Sequence, residues 1–158
     1  MNWVIRHNEK IKFHTYLNQI LEPILDDIRD YNWLLSDLEY VSHFPVKLPI
    51  DLEQEYFILS PSDFNVLLNA EVQIWWGVVL GISKNIAIEI DKDNLPFAEG
   101  NELIWKNGNM QYRDAEIEIV AVDSGYTIVK FKDEKVSDKF HAFFPEAIEL
   151  EIFSKKFL

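Results

Sequence analysis

The chain contains no cysteine, only five glycines and four histidines, and fewer basic than acidic residues. The missing cysteine excludes disulfides, thiolate metal sites and cysteine nucleophiles, and it suits a reducing cytosol. Sparse glycine leaves no GxGxxG and no GxxxxGK[ST], so an enzyme built on a phosphate-cradling loop is not expected, and GxSxG is missing too. The histidines at 7, 14, 43 and 141 form no HExxH and no paired ligand spacing, so neither a metal nor a cofactor is expected. His14 and His141 fall on predicted helices and are read as surface or core-edge residues. The longest apolar run, Ile74–Ile82, is too short to span a bilayer, and the opening MNWVIRHNEK lacks the pattern of a secretion signal. A soluble, cytoplasmic protein is the expectation.

Fifteen basic against 27 acidic residues give a formal charge of −12. That field repels a phosphate backbone, excludes nucleic acid as the natural partner, and would attract a basic protein. The 158 residues are enough for one domain, read as 1–158, and 14% of them are aromatic, which argues for a packed core.

Hydrophobic spacing supplies the elements. Trp3–Ile5 is an opening strand. Phe13, Leu17, Ile20, Leu21, Ile24 and Ile28 lie at helical spacing, with Pro23 expected to break the helix. Tyr31–Leu35 is a strand with Trp33 and Leu35 on one face and Leu34 on the other. Ser42–Pro49 is an extended connection, and Glu55–Leu59 a further strand. Ser60, Pro61 and Asp63 begin a short helix that ends near Asn69.

The even positions from Val72 to Ile82 are all apolar and define a core face. A hairpin through Ser83-Lys84-Asn85, with Asn85 left-handed, would pair Ile82 with Ile86, Leu80 with Ile88 and Val78 with Ile90. Glu102–Trp105 is read as a strand entering an Asn107-Gly108 hairpin, with the sheet resuming at Tyr112 or Arg113. A second hairpin turns at Asp123-Ser124-Gly125, with glycine in the left-handed position. Its register sets Glu118 against Lys130 and Glu116 against Lys132 on a face expected to be exposed, with Ile119 against Val129 and Ile117 against Phe131 on the other. Asp133 caps a helix carrying Val136, Phe140 and Phe143, which Pro145 stops, and Ile148, Leu150 and Ile152 alternate in a last strand. These elements predict an α+β fold: a largely antiparallel sheet of about six to eight strands, with two to three helices packed on one face.

Candidate sites are dispersed. Asp91, Asp93, Glu99 and Glu102 imitate a calcium loop, but Leu95 and Pro96 occupy the positions that need an oxygen ligand and a glycine. Two acidic groups stand out, Glu22, Asp26, Asp27 and Asp30 in the first helical region, and Asp51, Glu53 and Glu55; each is either a solvated face or a contact surface. Trp75 lies on the odd face of its strand beside Gly77. Either a helix covers that face and Trp75 is core, or it stands exposed over the flat space left by Gly77 and Gly81.

The C-terminal third runs as an alternating strand into Asp123-Ser124-Gly125-Tyr126, a strand, a charged helix, Phe144-Pro145-Glu146-Ala147 and a closing strand; Tyr31-Asn32-Trp33 adds a further match. This pattern resembles small uncharacterised bacterial proteins, some of which look like immunity proteins encoded beside polymorphic toxins. The resemblance implies a domain that neutralises a basic partner, such as a toxin, by binding it without chemistry of its own. Trp75, Glu22, Asp26, Asp27 and Asp30 are the expected contact residues. The alternatives are a small enzyme whose site is assembled from dispersed carboxylates and a self-associating structural domain.

Overall fold

A computed structural model describes residues 1–158 apart from Phe44 and Ser124. In chain order the strands are β1 (Asn2–Ile5), β2 (Tyr31–Val41), β3 (Tyr56–Leu59), β4 (Gln73–Ser83), β5 (Ala115–Val122), β6 (Tyr126–Phe131) and β7 (Ile148–Glu149). The helices are α1 (Leu17–Ile20), α2 (Pro61–Leu68), α3 (Glu134–Phe143) and α4 (Leu150–Phe157), with 3-10 turns at Glu22–Ile24 and Glu102–Trp105. The strands form one seven-stranded antiparallel sheet in the order β3-β2-β4-β5-β6-β1-β7. The fold is therefore α+β, as expected. Among the described residues no helix is long and apolar enough to cross a membrane.

Both faces of the sheet are covered, because every strand but the two-residue β7 carries apolar residues on both sides. On one face Trp33, Leu35, Val79, Ile117, Ile119 and Val129 meet α1, α2 and α3 through residues such as Leu17, Phe64 and Phe140. On the other, Leu34, Val78, Leu80, Ile82, Val120 and Ile128 lie beneath Ile104, Leu150 and Phe153, with half-buried Ile86, Ile88 and Ile90 packed alongside. The prediction of helices on one face fails for α4. Leu150, Phe153 and Phe157 recur at helical spacing and Glu151 pairs with Lys155 one turn on, at 2.8 Å, so the predicted last strand stops at Glu149 and continues as a helix.

Several local readings hold. Pro23 does break the first helical region, leaving α1 as a single turn followed by a 3-10 turn. The Ser60 hydroxyl accepts the Asp63 amide at 3.2 Å, and the Asp133 carboxylate accepts the Lys135 amide at 2.8 Å. The β5–β6 register places Glu118 against Lys130 and Ile119 against Val129 as read. In its loop Asp123 is left-handed, at φ 43°, while Ser124 lies outside the described residues, as does Phe44 of the predicted extended connection.

The central hairpin does not form. Both edges of β4 are taken, one by β2, which extends to Val41, and the other by β5. Alternation in Ile86–Ile90 records which side chains face apolar surface, and a segment lying across a sheet can produce it without joining the ladder. The even face of β4 is also not continuous: Val78, Leu80 and Ile82 belong to one core and Ile74 to the other. The change of face coincides with the register shifts opposite Asp37–Glu39. Glu102–Trp105 is a 3-10 turn instead of a strand, and Asn107-Gly108 closes a turn through the Asn109 amide and Lys106 carbonyl without opening a hairpin. The sheet resumes at Ala115.

The face expected to be solvated holds a buried ion pair. Glu118 and Lys130 are both 0% exposed, with Nζ 3.2 Å from Oε1. The Glu118 Oε2 accepts the Gln111 amide at 2.7 Å, and Lys130 Nζ donates to the Asn109 carbonyl at 2.7 Å. Burial pulls the Lys130 ammonium below its ordinary pKa, while Glu118 pushes it back up. Removing one partner strands a buried charge. Lys130→Met is expected to cost about 3–5 kcal/mol in urea unfolding. Lys130→Met combined with Glu118→Gln, which keeps an acceptor for Gln111, is expected to cost less than the single change.

Candidate functional site

The predicted contact residues do not assemble. Asp26 pairs with Arg29 at 2.6 Å, Asp27 with Lys139 of α3 at 2.9 Å and Asp30 with Lys84 at 3.3 Å, while Glu22 is exposed on the 3-10 turn. Each of the three aspartates thus has its own cation, which removes most of the local negative field. Asp30 lies beside Lys84, just beyond the end of β4, whereas Trp75 lies near the start of that strand. Trp75 is 44% exposed even though the second face is covered. Trp75 is thus not core, and the flat space of the alternative reading is absent too. A Cβ on Gly81 would approach Ile117 Cγ2 to 2.6 Å and Tyr31 Cδ2 to 2.8 Å, and one on Gly77 would approach Leu38 Cδ2 to 2.7 Å, so side chains fill that room.

The second acidic group builds a site. At the register shift in β2, Asp37 adopts a left-handed conformation, φ 56°, and its carboxylate accepts the Ala98 amide at 2.8 Å. The neighbouring Ser36 hydroxyl donates to the Pro96 carbonyl at 2.7 Å, and the Gln111 side chain accepts the Phe97 amide at 2.9 Å. These bonds fasten Leu95-Pro96-Phe97 as one wall of a groove. The opposite wall, Leu52–Glu55, is turned by Asp51, whose carboxylate accepts the Glu53 and Gln54 amides at 2.9 and 3.0 Å. Burial, followed by the nearby Asp51 charge, pushes the Tyr40 phenol above its usual pKa.

Between the walls lies a groove of about 430 Å³, floored by Ser36–Glu39. Asp37, Glu39, Glu53 and Glu55 line it without a lysine or arginine. Two of its apolar side chains are open to solvent, Leu52 at 71% and Phe97 at 45% exposed. A second groove, of about 820 Å³, follows β3 and shares Gln54 and Glu55 with the first. Glu39 pairs with Trp76, one residue along β4 from Trp75, so the sequence-selected tryptophan lies near the end of this surface.

Sequence reading found the carboxylates at 51, 53 and 55 but not their neighbours at 37 and 39 or the apolar wall at 95–97. These converge only through the β2 register shift, and the single local signal is Asp37, a polar residue interrupting an otherwise strand-like run. Acid and apolar residues alternating around an open groove suit recognition of a cationic surface bearing apolar side chains. Among the described residues, no group of three or more His, Asp or Glu is placed to hold a metal ion.

His14 is buried in a turn before α1, which corrects its predicted place on a helix at the surface or core edge. The Thr127 hydroxyl donates to the His14 carbonyl, so His14 Nδ1, 2.9 Å from the same oxygen, must be the donor to it. Among the described residues, Nε2 is then a lone pair without a partner. Burial depresses its pKa from 6.5 to about 4, with His7 adding to the effect and the Tyr126 backbone opposing it.

Two outcomes follow from these contacts. Between pH 6.5 and about 4 the unfolded chain binds the His14 proton more readily, so stability is full above 6.5 and falls as the pH drops toward 4. Urea unfolding across that window is expected to show this loss, and His14→Gln to flatten it. Asp37→Ala is expected to cost about 1–3 kcal/mol by leaving the Ala98 amide without its acceptor and forcing a left-handed alanine, and to speed hydrogen exchange at Ala98; Asp37→Asn is expected to retain most of the stability. No family model matches this chain, nor does any curated protein or solved structure.

Proposed function

We propose that the protein is a non-enzymatic, acidic protein-binding domain that neutralises a basic partner by occupying its surface, in the manner of a toxin-immunity protein. The observation that carries this reading is the groove formed by β2, Leu52–Glu55 and Leu95–Phe97. It joins four carboxylates to exposed Leu52 and Phe97 on walls already fixed by backbone amides donating to the Asp37 and Asp51 carboxylates. Carboxylates at the rim steer a cationic partner and raise its association rate, and the apolar pair then excludes water at the contact. Preformed walls lower the ordering cost of binding. The formal charge of −12 extends the same attraction over longer range.

The reading predicts a stable complex with a basic protein from the native host, and the product of an adjacent reading frame is the first to test. Charge reversal at Glu39→Lys with Glu53→Lys is expected to slow association by about tenfold or more at low salt, with the difference shrinking near 0.5 M salt. The same two positions are exposed, so unfolding midpoints are expected to change little. Failure to retain any basic protein at low salt, or a complex indifferent to the reversal, would count against the reading.

A further inference from the structure

The two ends of the sheet are finished differently. At one, β7 contributes two residues and the chain turns at once into α4, which packs back over the sheet. At the other, β3 pairs with β2 from Tyr56↔Ser36 to Leu59↔Trp33, and among the described residues no strand pairs with its far side. In an antiparallel ladder alternate residues turn both amide and carbonyl away from the partner, so two of the four residues of β3 offer theirs outward. The larger groove lies along this edge and is lined by Lys47–Asp51 as well. Ile58 is 48% exposed there, an apolar side chain on an edge that globular proteins ordinarily cover or blunt.

From this edge we infer that β3 is a strand-addition site: an extended segment of the basic partner pairs with it antiparallel and becomes an eighth strand. The inference rests on the proposed function and names the form its partner takes. A groove alongside a strand, with free amides and carbonyls at its base, accepts an extended chain in preference to a helix. Charge orients the segment. The groove along β3 mixes Asp51, Glu55 and Asp63 with Lys47 and Lys92, whereas the adjoining groove beyond Glu55 carries carboxylates alone. Basic residues of an antiparallel strand therefore belong at its C-terminal end, over Glu53 and Glu55, and an apolar residue belongs beside Ile58. A second copy of this chain is the poorer occupant, because each copy carries −12.

The probe is a peptide of about eight residues with alternating valine and threonine and two C-terminal lysines, a length matched to ordinary strands. Titrated into the full chain, it is expected to slow amide exchange at Tyr56–Leu59 and to shift those resonances. N-methylating alternate peptide amides on the pairing side is expected to weaken binding by at least about tenfold, since the ladder bonds supply the affinity. Moving the lysines to the N-terminus is expected to weaken it as well. Binding indifferent to N-methylation, shifts confined to other strands, or no binding would overturn strand addition, as would a concentration-dependent dimer protected at Tyr56–Leu59. The two readings fail separately. If a basic protein is retained and Glu39→Lys with Glu53→Lys weakens it, but Tyr56–Leu59 gain no protection in that complex, protein binding stands and strand addition falls. If no basic protein is retained, the functional reading falls whatever the peptide does.

Discussion

The contact between Glu118 and Lys130 governs how the second face of the sheet is closed. A sheet with apolar residues on both sides must be covered twice, and here α1, α2 and α3 cover one side in the ordinary way. The other is covered largely by the irregular chain from Lys84 to Asp114, which brings many backbone polar groups close to a dry surface. The ion pair answers that problem by reaching outward: its carboxylate takes the Gln111 amide and its ammonium the Asn109 carbonyl. Each charge is compensated by the other and by a backbone dipole, so the cover is attached by the groups whose burial would otherwise oppose it. A pair of this kind contributes less to net stability than to choosing one placement for the cover.

The same cover builds one wall of the acidic groove. Leu95-Pro96-Phe97 belongs to it, and Asp37, Ser36 and Gln111 fasten that stretch to the sheet. Gln111 also gives its amide to Glu118, so the anchor in the core and the groove wall share a residue. Order at the groove therefore depends on the ion pair although none of its surface charges touches it.

Local chemistry was legible in the sequence where a short segment determines its own structure. The Ser60 and Asp133 caps, the Pro23 break and the β5–β6 register each follow from a few neighbouring residues. What was not legible depended on competition between distant segments. Ile86–Ile90 alternates like a strand, yet β2 and β5 had already taken both edges of β4. Glu118 and Lys130 read as a surface pair because opposite charges usually are one, and nothing near them in sequence announces the turn that buries them. The acidic groove was half visible for the same reason. Asp51, Glu53 and Glu55 stand together in the chain, while Asp37, Glu39 and Phe97 join them only through the β2 irregularity.

The place of β1 in the sheet has a consequence for the order in which the fold can be completed. Its residues pair with β6 on one side, Asn2 opposite Lys130, and with β7 on the other, Val4 opposite Ile148. During synthesis β1 leaves the ribosome well before either neighbour exists, and its Trp3 and Ile5 have no native surface to cover until most of the chain has followed. Closing so long a loop is entropically slow, so the nascent chain carries an unpaired apolar strand for most of its synthesis. The native place of β1 between β6 and β7 can be filled only once both have been made, and a nascent chain stalled after β5 would present β1 to any other open edge.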